Sequence, residues 1–358
     1  MIDLAHIIQE HCSQKWTMLC YVLPGEDRIN CWFSFGRPLR NDPTGMTFCI
    51  QPYDRDTPLE IWSESNFERH QIDFKELISL KNMPPQSAPK PWWELCSQEE
   101  GRSHKSMVKT ALNSIDSGVM DKVVLARTKS IGLQQVHWLE FLIRLVTADP
   151  RSFRYVLNHP DWGVWSGATP ETLIQSENDQ FNTMALAGTR WQIDQGWPEW
   201  TDKEYEEHRW VVQEILQSIE SEAHCETGDL TNHELGQMQH LRTDIFGVIK
   251  PGSNGLQLAQ CLHPTPAVCG FPRESANGFI QNHESFDREL YAGFLGFWNP
   301  EGKTTQLFVN LRCLKWSNGH VHLFAGGGIT RDSDPEHEWI ETQRKMSTMG
   351  HVIAPFIE

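Results

Sequence analysis

The sequence predicts an α+β fold, in which strands run in long antiparallel stretches with helices between them and no regular βαβ alternation. Three observations carry this. Short apolar, aromatic-rich segments bounded by turn formers recur from Trp16 onward. A second group of such segments occupies 291–324. Between the two groups, 202–220 changes to helical period, with Val212, Ile215, Leu216 and Ile219 on one face.

Taken in order, Trp16 to Leu23 and Cys31 to Phe35 are apolar runs broken by Pro24-Gly25 and Gly36, so residues 1–80 read as strand-rich. Pro84, Pro85, Pro89 and Pro91 exclude a helix interior over 83–91, which reads as a surface connector. A helix is predicted over 103–117, then a strand over 122–126. Further strands are predicted at 163–165, 172–175 and 181–187. The long helix of 202–220 precedes strands at 291–298, 305–314 and 320–324, and a last helix begins near Pro335. No internal repeat or low-complexity segment interrupts what reads as one domain over 1–358.

The 358 residues hold 31 Lys plus Arg against 47 Asp plus Glu, a formal net charge of −16. Phosphate neutralisation needs clustered cations, and no basic run supplies them, so nucleic acid is excluded as partner. Hydrophobic residues at 39% and charged residues at 22% mark an ordinary globular chain, not a disordered one. No apolar stretch reaches membrane-spanning length and Met1 to Gln9 lacks secretory character, so neither membrane nor export is expected. Nine scattered cysteines without C-x-x-C spacing read as reduced thiols in a cytoplasmic protein.

Two acid-bearing helices stand out. Glu204 and Glu207 are three apart, as are Glu338 and Glu341, with Lys345 one turn further along the same face. Four carboxylates from two helices suit a hard cation such as Mg²⁺. The same spacing also makes capping boxes of Thr201-x-x-Glu204 and Ser333-x-x-Glu336, and both readings stay open.

Gly326-Gly327-Gly328 follows a predicted strand. It reads either as a tight turn before the last helix or as backbone N–H groups open to an anion. Ala187-Gly188-Thr189-Arg190 reads as a strand-ending turn. Lys122, Val124 and Ala126 share one face of their strand and Arg127 the other. An inward Lys122 is either a desolvated base or a strand-end lysine reaching for water. Glu171 sits in the turn Gly167-Ala168-Thr169-Pro170-Glu171. Arg312 is placed inside an apolar strand, where it needs an anionic partner. His240 and His263 are polar contacts or satisfied core histidines.

In combination these pieces are more specific. The order Lys-Val-Val-Leu-Ala-Arg (122–127), Gly-Ala-Thr-Pro-Glu (167–171), Ala-Leu-Ala-Gly-Thr-Arg (185–190), Lys-Glu-x-x-Glu-His (203–208), Leu-His-Pro-Thr-Pro-Ala-Val (262–268), Tyr-Ala-Gly (291–293), the glycine triplet and Pro-Glu-x-Glu-x-x-Glu-Thr-x-x-Lys (335–345) resembles the chorismate-utilising enzymes. The resemblance covers about 100–355, while 1–100 match loosely. The 185–190 and 262–268 segments look most like the isochorismate synthase branch. Cys269, where that branch usually has glycine, is a departure expected to narrow its loop slightly.

The resemblance implies two large antiparallel sheets packed as a sandwich with helices outside, and a central cleft. It implies chorismate as substrate, with Lys122 as base for a water adding at C2 and Glu171 as acid for the departing C4 hydroxyl. Each would then work in its less common protonation state at neutral pH, Lys122 neutral and Glu171 protonated. It implies Mg²⁺ held mainly by Glu207 and Glu341, with Glu204 and Glu338 through water. Tyr291, Arg312, Lys345 and the backbone of Gly326, Gly327 and Gly328 would bind carboxylates. Gly188, Thr189 and His240 would border the ring. A monomer is expected, serving menaquinone or siderophore synthesis. The rivals are a salicylate synthase, which also eliminates pyruvate, an ammonia-using anthranilate or aminodeoxychorismate synthase, against which Lys122 argues, and a homologue that binds chorismate without turnover.

Overall fold

Strand β1 (Met18–Val22) shows how alternation builds the layers. Met18, Cys20 and Val22 face a helical layer, while Leu19 and Tyr21 face a second sheet. The structure, a computed structural model, describes residues 4–37, 43–79, 98–133, 136–193, 196–235, 238–317 and 319–357. The proline-rich connector expected over 83–91 lies outside them.

The remaining strands are β2 (Arg28–Phe33), β3 (Thr47–Gln51), β4 (Glu60–Ser63), β5 (Glu68–Asp73), β6 (Lys122–Gly132), β7 (Phe153–His159), β8 (Gly163–Thr169), β9 (Thr172–Glu177), β10 (Gln180–Trp191), β11 (Ala223–Leu235), β12 (Met238–Ile249), β13 (Gly270–Phe271), β14 (Phe294–Asn299), β15 (Thr304–Val309), β16 (Cys313–Ser317) and β17 (His320–Ile329). The helices are α1 (Leu4–Gln14), α2 (Phe74–Ser79), α3 (Gln98–Asp116), α4 (Trp138–Val146), α5 (Asp202–Ile219), α6 (Gly255–Leu262), α7 (Arg273–His283) and α8 (Pro335–Ile353).

Two antiparallel sheets result. The nine-stranded sheet runs β13-β6-β17-β16-β8-β7-β1-β2-β5, and the eight-stranded sheet runs β11-β12-β10-β9-β15-β14-β3-β4. Aromatic side chains fill the space between them. Phe153 stacks on Phe308 at 4.7 Å and Trp165 on Phe324 at 5.2 Å. A second core lies between the nine-stranded sheet and Leu4 and Ile8 of α1, Phe141 and Leu142 of α4, and Met346, Met349 and Ile353 of α8.

Two of the points at which the chain passes from one sheet to the other lie side by side. Between β8 and β9 lies Pro170-Glu171, and between β15 and β16 lies 310–312. The crossings are tied together: Val309 N–H donates to Glu171 O at 3.0 Å and Ala168 N–H to Arg312 O at 3.1 Å. The strand expected over 305–314 is therefore two strands, one in each sheet. Arg312 is not inside either; it turns the corner with a left-handed φ of 47°.

The glycine triplet is not a turn. Gly326, Gly327 and Gly328 lie within β17, opposite Ala126, Leu125 and Val124 of β6. Nor does Gly188 end a strand: β10 continues to Trp191, with a bulge between Ala187 and Thr189. Tyr291 precedes β14 rather than opening it, and a helix, α1, precedes the first strand.

Candidate active site

A cleft of about 130 Å³ opens between the sheets beside the two crossings, lined by both of them and by α5 and α8. Strand β6 supplies Lys122 and Val124, and β17 supplies Phe324, Ala325, Gly326 and Gly328. From the other sheet come Leu186 to Thr189 of β10 and His240 of β12. The crossings add Glu171, Leu311 and Arg312. The first turns of α5 bring Lys203, Glu204 and Glu207, and α8 brings Glu338, Glu341 and Lys345. The predicted site residues thus meet in one place, with Gly327 in the wall behind Glu338.

Small residues make this convergence possible. A Cβ on Gly328 would come within 3.1 Å of Lys122 Cε and 3.2 Å of Glu207 Oε1; one on Gly327 would come within 2.9 Å of Glu338 Oε2; one on Gly326 would come within 3.0 Å of the Tyr291 hydroxyl. The triplet is glycine because the side chains of Lys122, Glu207, Glu338 and Tyr291 occupy the space its own would take. Gly188 serves α5 in the same way. Its φ of 74° forms the bulge, and a Cβ there would meet Glu204 Cβ at 3.1 Å.

Lys122 is 2% exposed, and its Nζ donates to Glu207 Oε1 at 2.7 Å. The face assignment holds: Arg127, on the opposite side of β6, reaches away from the cleft to Thr342 Oγ1 at 2.7 Å. Burial pushes the Glu171 carboxyl up to about 7, against the opposing pull of Lys345, Lys122 and Arg312. An acid so placed carries its proton near neutral pH. His240 Nδ1 lies 3.0 Å from Thr189 Oγ1, and burial drives its pKa down to about 3, so the ring is neutral. His263 is the satisfied core histidine, with Nε2 at 3.0 Å from Pro52 O and away from the cleft lining.

The four glutamates are all partnered. Glu204 Oε2 accepts from Thr201 N–H at 2.8 Å, the capping arrangement expected there. At α8 the cap is Asp334 instead of Ser333, with Oδ1 accepting from Glu336 and His337 N–H. Glu341 Oε1 lies 2.7 Å from Lys345 Nζ, which also donates to Gly326 O at 3.0 Å. Burial raises Glu341, yet the adjacent Lys345 outweighs it and holds the carboxyl below its ordinary value. Glu338 is pushed up to about 8 by burial and by Glu341 beside it.

Among the described residues, no three His, Cys, Asp or Glu side chains close into a ligand cluster. The donor set nonetheless fits a hard dication: carboxylate oxygens from two helices, one of them raised by repulsion from its neighbour, in one cleft.

Lys203 was not singled out from the sequence. It sits in a helix first turn where a capping pattern explained everything around it. Its Nζ reaches Ser333 Oγ at 3.5 Å, joining the starts of the two acidic helices. Lys122, Lys203, Arg312 and Lys345 face Glu171, Glu204, Glu207, Glu338 and Glu341. Lys122 and Lys345 are already paired with Glu207 and Glu341, so a dicarboxylate entering this lining brings negative charge that those two cations do not offset. Cys269 is buried, with Sγ against Arg273 O at 3.6 Å, and is absent from the cleft lining.

Residues 54–354 match the family model described as chorismate binding enzyme, beginning well before the motif-bearing stretch that starts near residue 100. The isochorismate synthase EntC of Escherichia coli K12 is 35% identical over 267 residues, covering 71% of this chain and 67% of EntC. The isochorismate synthase MenF of the same strain is 30% identical over 304 residues, covering 80% of this chain and 69% of MenF. The solved structure of the menaquinone-specific MenF superposes with a TM-score of 0.76 at 22% identity, covering 98% of this chain and 91% of that one.

Proposed function

Because the chain belongs to the chorismate binding enzyme family, we propose that it is a Mg²⁺-dependent isochorismate synthase. Water adds at C2 of chorismate and the C4 hydroxyl leaves as water, so the net change is an isomerisation. The observation that carries this reading is the meeting of Lys122 and Glu171 in one cleft, Lys122 from β6 and Glu171 from the β8–β9 crossing with its carboxyl raised to about 7.

Lys122 Nζ takes a proton from the incoming water as its oxygen bonds to C2. Glu171 gives its proton to the C4 oxygen as the C4–O bond breaks. The neutral His240 ring and Thr189 border the substrate ring, held to each other at 3.0 Å. Arg312, Lys345 and Tyr291 bind the carboxylates, with the β17 backbone beside them. Past Leu323, where its pairing with β16 ends, β17 has no strand neighbour on that edge among the described residues, which leaves backbone groups facing the cleft. Glu207 and Glu341 would hold Mg²⁺ directly, and Glu204 and Glu338 through water. When bound, the ion offsets carboxylate charge on the substrate.

The thiols of Cys20, Cys31, Cys49 and Cys313 are free and buried, which suits a reducing cytoplasm, and no described helix is long and apolar enough to cross a membrane. We assign the working form as a monomer. The product feeds menaquinone or siderophore synthesis. The test is to incubate purified protein with chorismate and Mg²⁺ and separate the products. Isochorismate is expected. Salicylate with stoichiometric pyruvate, or binding without conversion, would overturn the assignment.

A further inference from the structure

Behind the cleft lies an ion pair that is not part of its lining. Glu284, just past α7, and Arg288 are each 2% exposed and bonded twice, Nε to Oε2 at 2.8 Å and Nη2 to Oε1 at 2.5 Å. Burying such a pair is costly, so its remaining hydrogen bonds indicate what it serves.

Those bonds go to the backbone of the cleft wall. Strand β13 pairs with β6 only at Phe271↔Lys122 and Gly270↔Val123. One more ladder-like bond follows, Val124 N–H to Cys269 O at 2.8 Å. Beyond it the edge of β6 has no strand partner among the described residues, and the two side chains fill the place. Arg288 Nη2 donates to Val124 O at 2.7 Å, and Ala126 N–H donates to Glu284 Oε1 at 2.7 Å. Val124 and Ala126 alternate on one edge, so a carboxylate and a guanidinium complete the ladder that a backbone would otherwise supply. Arg288 Nη1 also donates to Val268 O at 2.8 Å. Its own carbonyl accepts from Tyr291 N–H at 2.8 Å. One pair therefore ties the strand that begins at Lys122, the loop that ends at Val268 and the segment that carries Tyr291, and Lys122, Val124, Val268 and Tyr291 all line the cleft.

We propose that Glu284 and Arg288 are a positioning pair, which sets Lys122 and the Val268 and Tyr291 walls in register for turnover. The kinetic part of this proposal rests on the isochorismate synthase reading above; the structural part does not.

Two variants test it. Arg288→Lys keeps the charge but lacks the planar fork that meets four acceptor oxygens on three residues at once. Glu284→Gln keeps an acceptor for Ala126 N–H and loses the charge. For Arg288→Lys, kcat is expected to fall about 10- to 100-fold with KM within about threefold, since a small displacement of a reacting group costs that much. Amide hydrogen exchange at Val124 to Arg127 is expected to speed up in both variants, more in Arg288→Lys. A lower Tm with kcat unchanged would reduce the pair to a structural role and overturn the proposal, as would unchanged exchange along β6. If Arg288→Lys fails to fold, Glu284→Gln carries both readouts. If the wild-type protein converts no chorismate, the functional reading fails, and exchange along β6 still decides the pair.

Discussion

Lys122 Nζ and Glu207 Oε1 are 2.7 Å apart in a wall where Lys122 is 2% exposed, so the residue assigned as base and a residue assigned to the cation hold each other. As base, Lys122 must offer water a lone pair, which an ammonium donating to a carboxylate lacks; as a metal ligand through Oε1, Glu207 needs the oxygen that Lys122 covers. The two roles are compatible only if the contact opens when Glu207 turns to a cation.

Removing the ammonium should therefore strengthen cation binding while destroying turnover. Lys122→Met is expected to lose about 10²- to 10⁴-fold in kcat. Its Mg²⁺ affinity, measured calorimetrically without chorismate, is expected to rise about tenfold because the partly buried Glu207 loses the ammonium that Lys122 holds 2.7 Å from it. Equal or weaker Mg²⁺ binding would show that Lys122 and the cation do not compete.

Glu171 makes the rate fall on the alkaline side. Its carboxyl is raised from 4.5 to about 7 by burial, so the proton it must donate is present below that pH and lost above it. The kcat profile is expected to decline above pH ~7. The same shift has a stability consequence of defined sign. A folded-state pKa above the unfolded one gives a contribution that is full below about 4.5 and lost as pH rises through about 7. Glu171→Gln, inactive in turnover, should then have a higher urea midpoint than wild type at pH 8 and a similar one at pH 4.

The order of motifs made most of this cleft legible, because each motif places a chemically distinct side chain at the end or edge of an element. What stayed hidden depended on long-range contact. The glycine triplet reads locally as a turn, yet it is strand, and its reason lies in Lys122, Glu338 and Tyr291 from three distant segments. Arg312 reads as mid-strand because Leu311, Cys313 and Leu314 around it are apolar, although the chain changes sheets there. The hairpin of β11 and β12 was missed because 223–235 is mostly polar; it sits at a sheet edge, where pairing rather than burial makes the strand. The proposed cation lies furthest from view, since composition counts charges in the chain and not those a cleft must import.

Removing that cation should act on substrate binding as well as rate. The lining cations Lys122 and Lys345 are already paired with Glu207 and Glu341, so without a dication the carboxylates of chorismate find these two cations taken. Treatment with EDTA is expected to abolish turnover and to weaken chorismate binding by about tenfold or more, both restored by added Mg²⁺. Undiminished conversion in EDTA would remove the metal from the mechanism.

Gly328 offers the sharpest steric test, because it has no left-handed φ and so a side chain there meets only its neighbours. The Gly328→Ala methyl would stand 3.1 Å from Lys122 Cε and 3.2 Å from Glu207 Oε1, closer than carbon contacts allow without movement. The strand cannot retreat, since Gly328 is in register with Val124 and Gly327 with Leu125. The long side chains must give way, and Lys122 is displaced from the position where it meets water. The expected cost in stability is modest, about 1–3 kcal/mol for overpacking, while kcat falls about 100-fold through misplacement of the base. Gly278→Ala, where a Cβ would meet nothing within 4 Å, is the control and should leave kcat unchanged. If Gly328→Ala retained wild-type kcat, the close packing of Lys122 against β17 would have no part in catalysis, and the glycine would be required for folding alone.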